Sequence, residues 1–348
     1  MTLLDQVFDI VVCLLLLVLA WRTLSATHLY QSAIFFIAFG LTMALAWVRL
    51  AAPDVALAEA AIGAGLLGVL LVDSLRVFAR PPETGRDSEP NKPESRDNDV
   101  TTSRRRPQFN SAVASVTAGA GCLFLAYVLV AAIHDLPDGG GLTAQAAENL
   151  SRSGVEHPVT AVLLNFRGFD TWLEVGVLFL AMLGIFCAGG LVGFSETENP
   201  DPPGPLLSWL IRGLAPVMIL TAAYLLWLGK LAPGGAFQAG ILLAAVGILL
   251  RLAGIPLMDR VPRTVIKLGL TFGFGTFLVF GIIALLADKA FLEYPSEWAG
   301  EVILLVEAAA AISIGFTAFA FFAYLNSRDQ STGNGDTAGQ PRETNPSQ

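Results

Sequence analysis

The sequence predicts an all-α fold, a polytopic integral membrane protein of about nine transmembrane helices with its N-terminus outside and its C-terminus inside. Three observations carry this. The 348 residues are 54% hydrophobic and only 14% charged, with a mean hydropathy of +0.63, whereas soluble domains sit near a quarter charged. The charges collect in residues 80–107, in the tail after Leu325 and in short gaps between long apolar runs. Each run has about the length, roughly 20 residues, that a helix needs to cross a bilayer core of ~30 Å.

In order, the runs fall roughly at 3–21, 30–50, 54–78, 111–133, 171–194, 206–228, 236–254, 264–287 and 299–325. Helix is the economical state for them, because lipid offers no partner to free backbone groups. The N-terminus, MTLLDQVFDIVV, has no basic leader and carries Asp5 and Asp9, so the first run reads as a retained helix and not as a cleaved signal peptide. Basic residues set the orientation. With the N-terminus outside, 16 of the 21 Lys and Arg residues fall on the inner side, seven of them within 80–107.

Residues 80–107 are Pro-rich, mixed in charge and almost free of apolar side chains, so they are expected to form a disordered cytoplasmic linker. Residues 326–348 make a similar polar tail. The stretch 134–157 reads as an external loop with one short surface helix over 142–150, and 195–205 as a second break.

Composition also excludes functions. A net charge of −8 argues against a nucleic-acid partner. Cys13, Cys122 and Cys187 lie singly in apolar runs, and His28, His134 and His157 lie far apart in expected loops. Neither a disulfide framework nor a metal site is suggested. With no phosphate loop and no nucleophile beside a His, neither enzymatic activity nor a cofactor is expected.

Ionisable groups at membrane depth cost several kcal/mol or more unless paired or hydrated, and four places stand out. In Pro53-Asp54-Val55-Ala56-Leu57-Ala58-Glu59, Asp54 reads as the N-cap of a helix. Glu59 lies ~8 Å further along the axis, among Ala58, Ala60, Ala61 and Ile62, and is a candidate for carrying a proton or an ion. In Arg167-Gly168-Phe169-Asp170-Thr171-Trp172-Leu173-Glu174, Asp170 reads as a cap or as a partner of Glu174 on one helix face, with Glu174 the better candidate for proton exchange. In Lys230-Leu231-Ala232-Pro233-Gly234-Gly235-Ala236-Phe237-Gln238, Pro and paired Gly interrupt the helix. That stretch is either a tight external hairpin or a broken-helix element facing a neighbouring subunit, with Lys230 and Gln238 pointing at it. Glu307, one to two turns deeper than Glu301 in the last run, needs a partner, whether for structure or for transport. Asp73 and Arg76 read as interfacial.

Three of these segments resemble known modules. Ala52–Gly65, APDVALAEAAIGAG, resembles the motif of the MbhD-type module of membrane-bound hydrogenases and of the C-terminal part of the large MrpA antiporter subunit, with Ala58 in place of Thr. Val159–Gly184 resembles the MbhE-type module that follows it in those proteins. Leu231–Ala245, LAPGGAFQAGILLAA, is similar to the MnhB/MrpB motif, with Ala236 in place of a third glycine. The resemblance implies an MbhD-like three-helix module over 1–79, an MbhE-like two-helix module over 108–195 and an MnhB-like four-helix module over 196–325. It further implies an accessory subunit of an Mrp-type Na⁺/H⁺ antiporter in a bacterial inner membrane, assembled with other Mrp subunits. Cytoplasmic Na⁺ would exchange for external H⁺, and Glu59 and Glu174 match family carboxylates on the ion or proton route. Two alternatives stay open: a membrane-arm subunit of a hydrogenase or respiratory-type redox complex, and a purely structural scaffold.

Overall fold

The computed structural model describes residues 2–68, 70, 71, 75, 111–135, 141–187, 204–253, 255 and 261–333, and among them only helices and turns. The expected linker at 80–107, the pair Asp73 and Arg76, the break at 195–203 and the tail beyond Gly333 lie outside these residues.

The chain forms two units, one of Met1–Arg80 with Gln145–Gln348 and one of Pro81–Ala144. The first unit opens with α1 (Leu3–Ser25), capped by a reciprocal exchange of hydrogen bonds between Thr2 and Asp5. The helix α2 (Leu29–Arg49) returns beside it. Asp5 and Asp9, one turn apart on one face, both reach Arg49 at the far end of α2. Arg49 Nε lies 2.7 Å from Asp9 Oδ1 and Nη1 lies 3.5 Å from Asp5 Oδ1, with the guanidinium over the Phe8 ring. Next comes α3 (Pro53–Ala58), which continues into a π-helical segment, Glu59–Leu66.

The second unit holds α4 (Ser111–His134), apolar along its whole length. The short helix expected over 142–150 is present as α5 (Thr143–Asn149). In the first unit again, α6 (Pro158–Ala161) runs into a second π-helical segment, Val162–Phe166, and Arg167 separates that segment from α7 (Gly168–Cys187).

The remaining helices are α8 (Pro205–Leu228), α9 (Ala236–Leu252), α10 (Arg263–Leu286) and α11 (Ala299–Gly333). The last extends eight residues past Leu325, so helix replaces the disorder expected at the start of the tail. Propagating an existing helix adds a hydrogen bond per residue without a new nucleus.

Helix α11 is the axis of the first unit. Within its span Ala299–Tyr324, 67% of the residues are buried, against 28% or less in every other long apolar helix described. Its neighbours are α7, α8, α9 and α10. Their shared core includes Phe277, Ile303 and Val306, all inaccessible, and Ala61, Ile62 and Leu66 of the first π segment pack against it. Lipid tails are as apolar as the side chains, so close packing, not hydrophobic transfer, must hold such helices together. Gly240 and Gly273 let the backbones meet. A side-chain carbon at Gly240 would lie 2.8 Å from the Ala311 carbonyl oxygen, and one at Gly273 would lie 3.0 Å from Ala310 Cα. The Ser313 hydroxyl donates to the Leu270 carbonyl at 2.7 Å, tying α11 to α10. By length and composition seven described helices could cross a membrane, while α9 has 17 residues. The protein is multi-pass.

The connection from α8 to α9 is a tight turn. Gly235 stands at φ +115°, in a region open only to glycine, and its N–H donates to the Leu225 carbonyl at 3.0 Å. At Gly234 a side-chain carbon would lie 2.5 Å from that same carbonyl oxygen. Pro233 ends the preceding chain direction because it has no N–H to offer a helix.

Two substitutions test this packing. Gly235→Ala should cost about 1–3 kcal/mol from backbone strain, read as a lower midpoint of thermal unfolding in detergent. Phe277→Ala, which empties the centre of the core, should cost about 3–5 kcal/mol. An unchanged midpoint for Phe277→Ala would show that the helices around α11 pack more loosely than their contacts indicate.

Candidate functional site

The ionisable side chains singled out by sequence divide into three settings: a junction at one end of the bundle, the local ion pair of Asp170 with Arg167, and two carboxylates without hydrogen-bond or ion-pair partners among the described residues. The junction is built by the loop between α5 and α6. Ser153, wholly buried, donates through its hydroxyl to the Leu150 carbonyl at 2.6 Å, and Asn165 Nδ2 donates to the Ser153 carbonyl at 3.0 Å. Gly154, at φ +80°, brings the loop against Gly300 at the start of α11. The N–H groups of Glu156 and His157 both donate to the Lys230 carbonyl, each at 2.9 Å, and the Thr160 hydroxyl donates to the Gly229 carbonyl. The loop is therefore pinned onto the α8–α9 turn.

Pinned in this way, His157 meets Asp54. His157 Nε2 and Asp54 Oδ2 lie 2.9 Å apart, with the side chains 12% and 18% exposed. Asp54 is thus not the cap it was expected to be. Pro53 takes the first helical position, the cap falls on Ala52, and the carboxylate is free to cross to His157. No local pattern points to His157, because its partner is 103 residues away.

On the far side of the turn, the buried Glu307 carboxylate of α11 accepts a hydrogen bond from the Ala236 N–H at the start of α9. Its Oε1 would be 2.9 Å from a side-chain carbon at Gly235, which is a second reason for glycine there. Its Oε2 is buried with no hydrogen-bond partner among the described residues. Lys230 acts on Glu307 through space and reaches over Gly300, where a side-chain carbon would lie 3.5 Å from Nζ. Lys230 and Gln238 were candidates for facing a neighbouring subunit. Lys230 is half-buried and Gln238 is buried within the chain. The backbone between them makes a tight turn.

Glu59 opens the first π segment. Its carboxylate lies against its own helix and α2: a side-chain carbon at Gly63 would collide with Oε1, and one at Gly40 would lie 3.1 Å from it. Glu59 is half-buried and no described residue bonds its carboxylate. Runs of π-helix are rare and concentrate at functional sites. The second π segment likewise precedes an acidic pair. Asp170, in the first turn of α7, is not its cap but forms an ion pair with Arg167. Glu174, one turn on, is exposed on the surface of the unit and forms no ion pair among the described residues.

Tyr294 is the one other buried titratable group of note, and its hydroxyl has no hydrogen-bond partner among the described residues. Burial pushes the phenol up to about 12, so it is protonated at neutral pH. No group of three His, Cys, Asp or Glu suited to a metal ion occurs among the described residues.

Residues 14–80 match the MbhD family, one of the constituents of MBH, and residues 206–325 match a domain related to the MnhB subunit of Na⁺/H⁺ antiporter. Glu59 and Asp54 fall in the first match; Lys230, Gly235 and Glu307 fall in the second. The chain is 26% identical over 246 residues to the A/B subunit of a probable K(+)/H(+) antiporter from Rhizobium meliloti (strain 1021). That alignment takes in 62% of this chain but 23% of the relative, so the chain spans under a quarter of the relative's length. In fold it is similar to the Mrp complex of Dietzia sp. DQ12-45-1b, with TM-score 0.67 and 21% identity over 95% of this chain and 35% of that one. It is also similar to the membrane-bound sulfane sulfur reductase, an archaeal respiratory membrane complex, with TM-score 0.51 and 23% identity over 61% of this chain and 97% of that one. An MbhD domain followed in one polypeptide by an MnhB-related domain makes this chain a fused membrane subunit of the Mrp antiporter type.

Proposed function

We propose that this chain is an accessory subunit of a multisubunit monovalent cation/proton antiporter, working in a bacterial plasma membrane beside other Mrp-type subunits. In this reading about nine helices cross the bilayer with the N-terminus outside, and residues 108–195 supply an MbhE-like module between the two matched domains. The observation that carries the proposal is Glu59, a half-buried carboxylate on a π-helical turn with no bonding partner among the described residues. A carboxylate so placed is stable only if water, a proton or a cation completes it. Glu174 supports the same reading from the outer surface of α7. Exposed on this chain yet flanked by lipid-length apolar sequence, it is placed to meet a partner subunit or a water-filled path. Glu307 plays a different part, holding the start of α9 beneath Lys230. The exchanged cation is Na⁺ or K⁺; the first follows from the family resemblance and the second from the relative in Rhizobium meliloti.

Likeness in fold to the sulfane sulfur reductase supports a second reading, in which the chain belongs to the membrane arm of a redox complex. The identity of the subunits that copurify with the intact complex separates the two.

The test uses everted vesicles carrying the whole complex and a pH-sensitive dye, with Na⁺, K⁺ and Li⁺ added in turn. Glu59→Gln and Glu174→Gln should each lower cation-driven proton movement about tenfold or more while the complex still assembles on a native gel. Normal exchange in both variants, or loss of assembly in both, would leave only a scaffold role.

A further inference from the structure

The contact between His157 and Asp54 joins the MbhD domain to the loop that rides on the MnhB-related turn, and nothing in the packing requires it to be ionisable. Two apolar side chains could fill the same space, and buried ion pairs are often no more stabilising than apolar replacements. Several features bear on what the pair does. Both side chains are largely withdrawn from solvent but not sealed, at 12% and 18% exposure. Asp54 is the one carboxylate that reaches the ring among the described residues. The imidazole is held by fixed backbone, since the His157 N–H donates to the Lys230 carbonyl while Ser153 and Asn165 lock the loop behind it. Asp54 lies on the same helical stretch as Glu59, five residues or ~7.5 Å earlier along the axis. Imidazole is the side chain whose ordinary titration falls between pH 5 and 8.

We propose that His157, paired with Asp54, is a proton-exchanging residue at the mouth of the path to Glu59. In the loaded state, imidazolium Nε2–H donates to Asp54 Oδ2. On transfer the N–H bond breaks, an O–H bond forms on an entering water, and that water passes one proton to the Glu59 carboxylate. His157 is left neutral and is recharged by a proton from the aqueous side, so charge and atoms balance without another reactant. Charged groups on the elements packed around the loop are Asp54 and Glu59 on α3 and the π segment, the exposed Arg152 and Glu156 on the loop itself, Arg167 at the end of the segment that follows, Lys230 on the turn, and the exposed Glu301 with the buried Glu307 on α11. Lys230 acts through space on Glu307, and of these groups Asp54 is the one in contact with the ring.

This inference rests on the antiporter reading, and the test keeps the two separate. The complex is prepared as wild type and with His157→Gln, His157→Lys, Asp54→Asn and the exchanged double variant Asp54→His/His157→Asp. Each is assayed in everted vesicles from pH 6 to 9.5, with assembly followed on native gels. Wild-type vesicles that exchange no cation for protons would refute the antiporter reading itself. Given wild-type exchange, the expected result is an assembled His157→Gln complex at least tenfold slower. His157→Lys, charged but unable to titrate in this range, should assemble and still be slow with a flattened pH profile, and the exchanged pair should recover rate. An assembled His157→Gln or His157→Lys complex with the wild-type rate and pH profile overturns the proposal. So does loss of assembly in every variant including the exchanged pair, because the contact would then be only a clamp.

Discussion

Two backbone N–H groups, those of Glu156 and His157, converge on the single carbonyl of Lys230, and the meeting of His157 with Asp54 follows from that convergence. A carbonyl has two lone pairs, and in a region poor in water both are better used than left empty. Once Lys230 is fixed by its main chain, its side chain is directed over Gly300 toward Glu307, and the loop carries His157 to Asp54. The two family-matched domains thereby meet through the loop of residues 150–157, which neither match includes.

Around this junction the bundle uses two different solutions for acidic side chains. Glu307 is met from within on one side only, by a main-chain N–H at a helix start, where unsatisfied donors and the helix dipole favour an anion, while its Oε2 has no partner among the described residues. Asp54 and Asp170 are satisfied by basic neighbours, one distant in sequence and one three residues away. Glu59 and Glu174 are satisfied by neither device. The difference could not be drawn from residue type alone, since Asp54 and Asp170 read as caps and Glu59, Glu174 and Glu307 as charges at membrane depth.

Much of the fold was legible because membrane helices announce themselves by length. Each of the nine apolar runs corresponds to a described helical segment, and the Pro-Gly-Gly turn lies where the pattern breaks. Glu59 was legible for the same reason, as one charge amid small residues. What failed was partnership. Asp54 looked like a cap because Pro-Asp is a common helix opening, but Pro53 occupied the first helical position and shifted the cap to Ala52. Its true partner, like the Asp9 partner of Arg49 forty residues away, depends on which helices lie side by side, and no local pattern encodes that. The π segments were equally invisible. EAAIGAGL and VLLNF differ from α-helical sequence in nothing that composition or periodicity registers, because the extra residue per turn is imposed by packing.

The clamp of Asp5 and Asp9 on Arg49 bears on how the chain is made. These charges sit at the same end of α1 and α2, yet Arg49 is synthesised only after α1 and nearly all of α2 have emerged. Until then the two aspartates have no countercharge, and a lone α1 would present them uncompensated to the bilayer edge. Insertion of the first two helices as one antiparallel pair would bring Arg49 to both aspartates as they reach the bilayer edge.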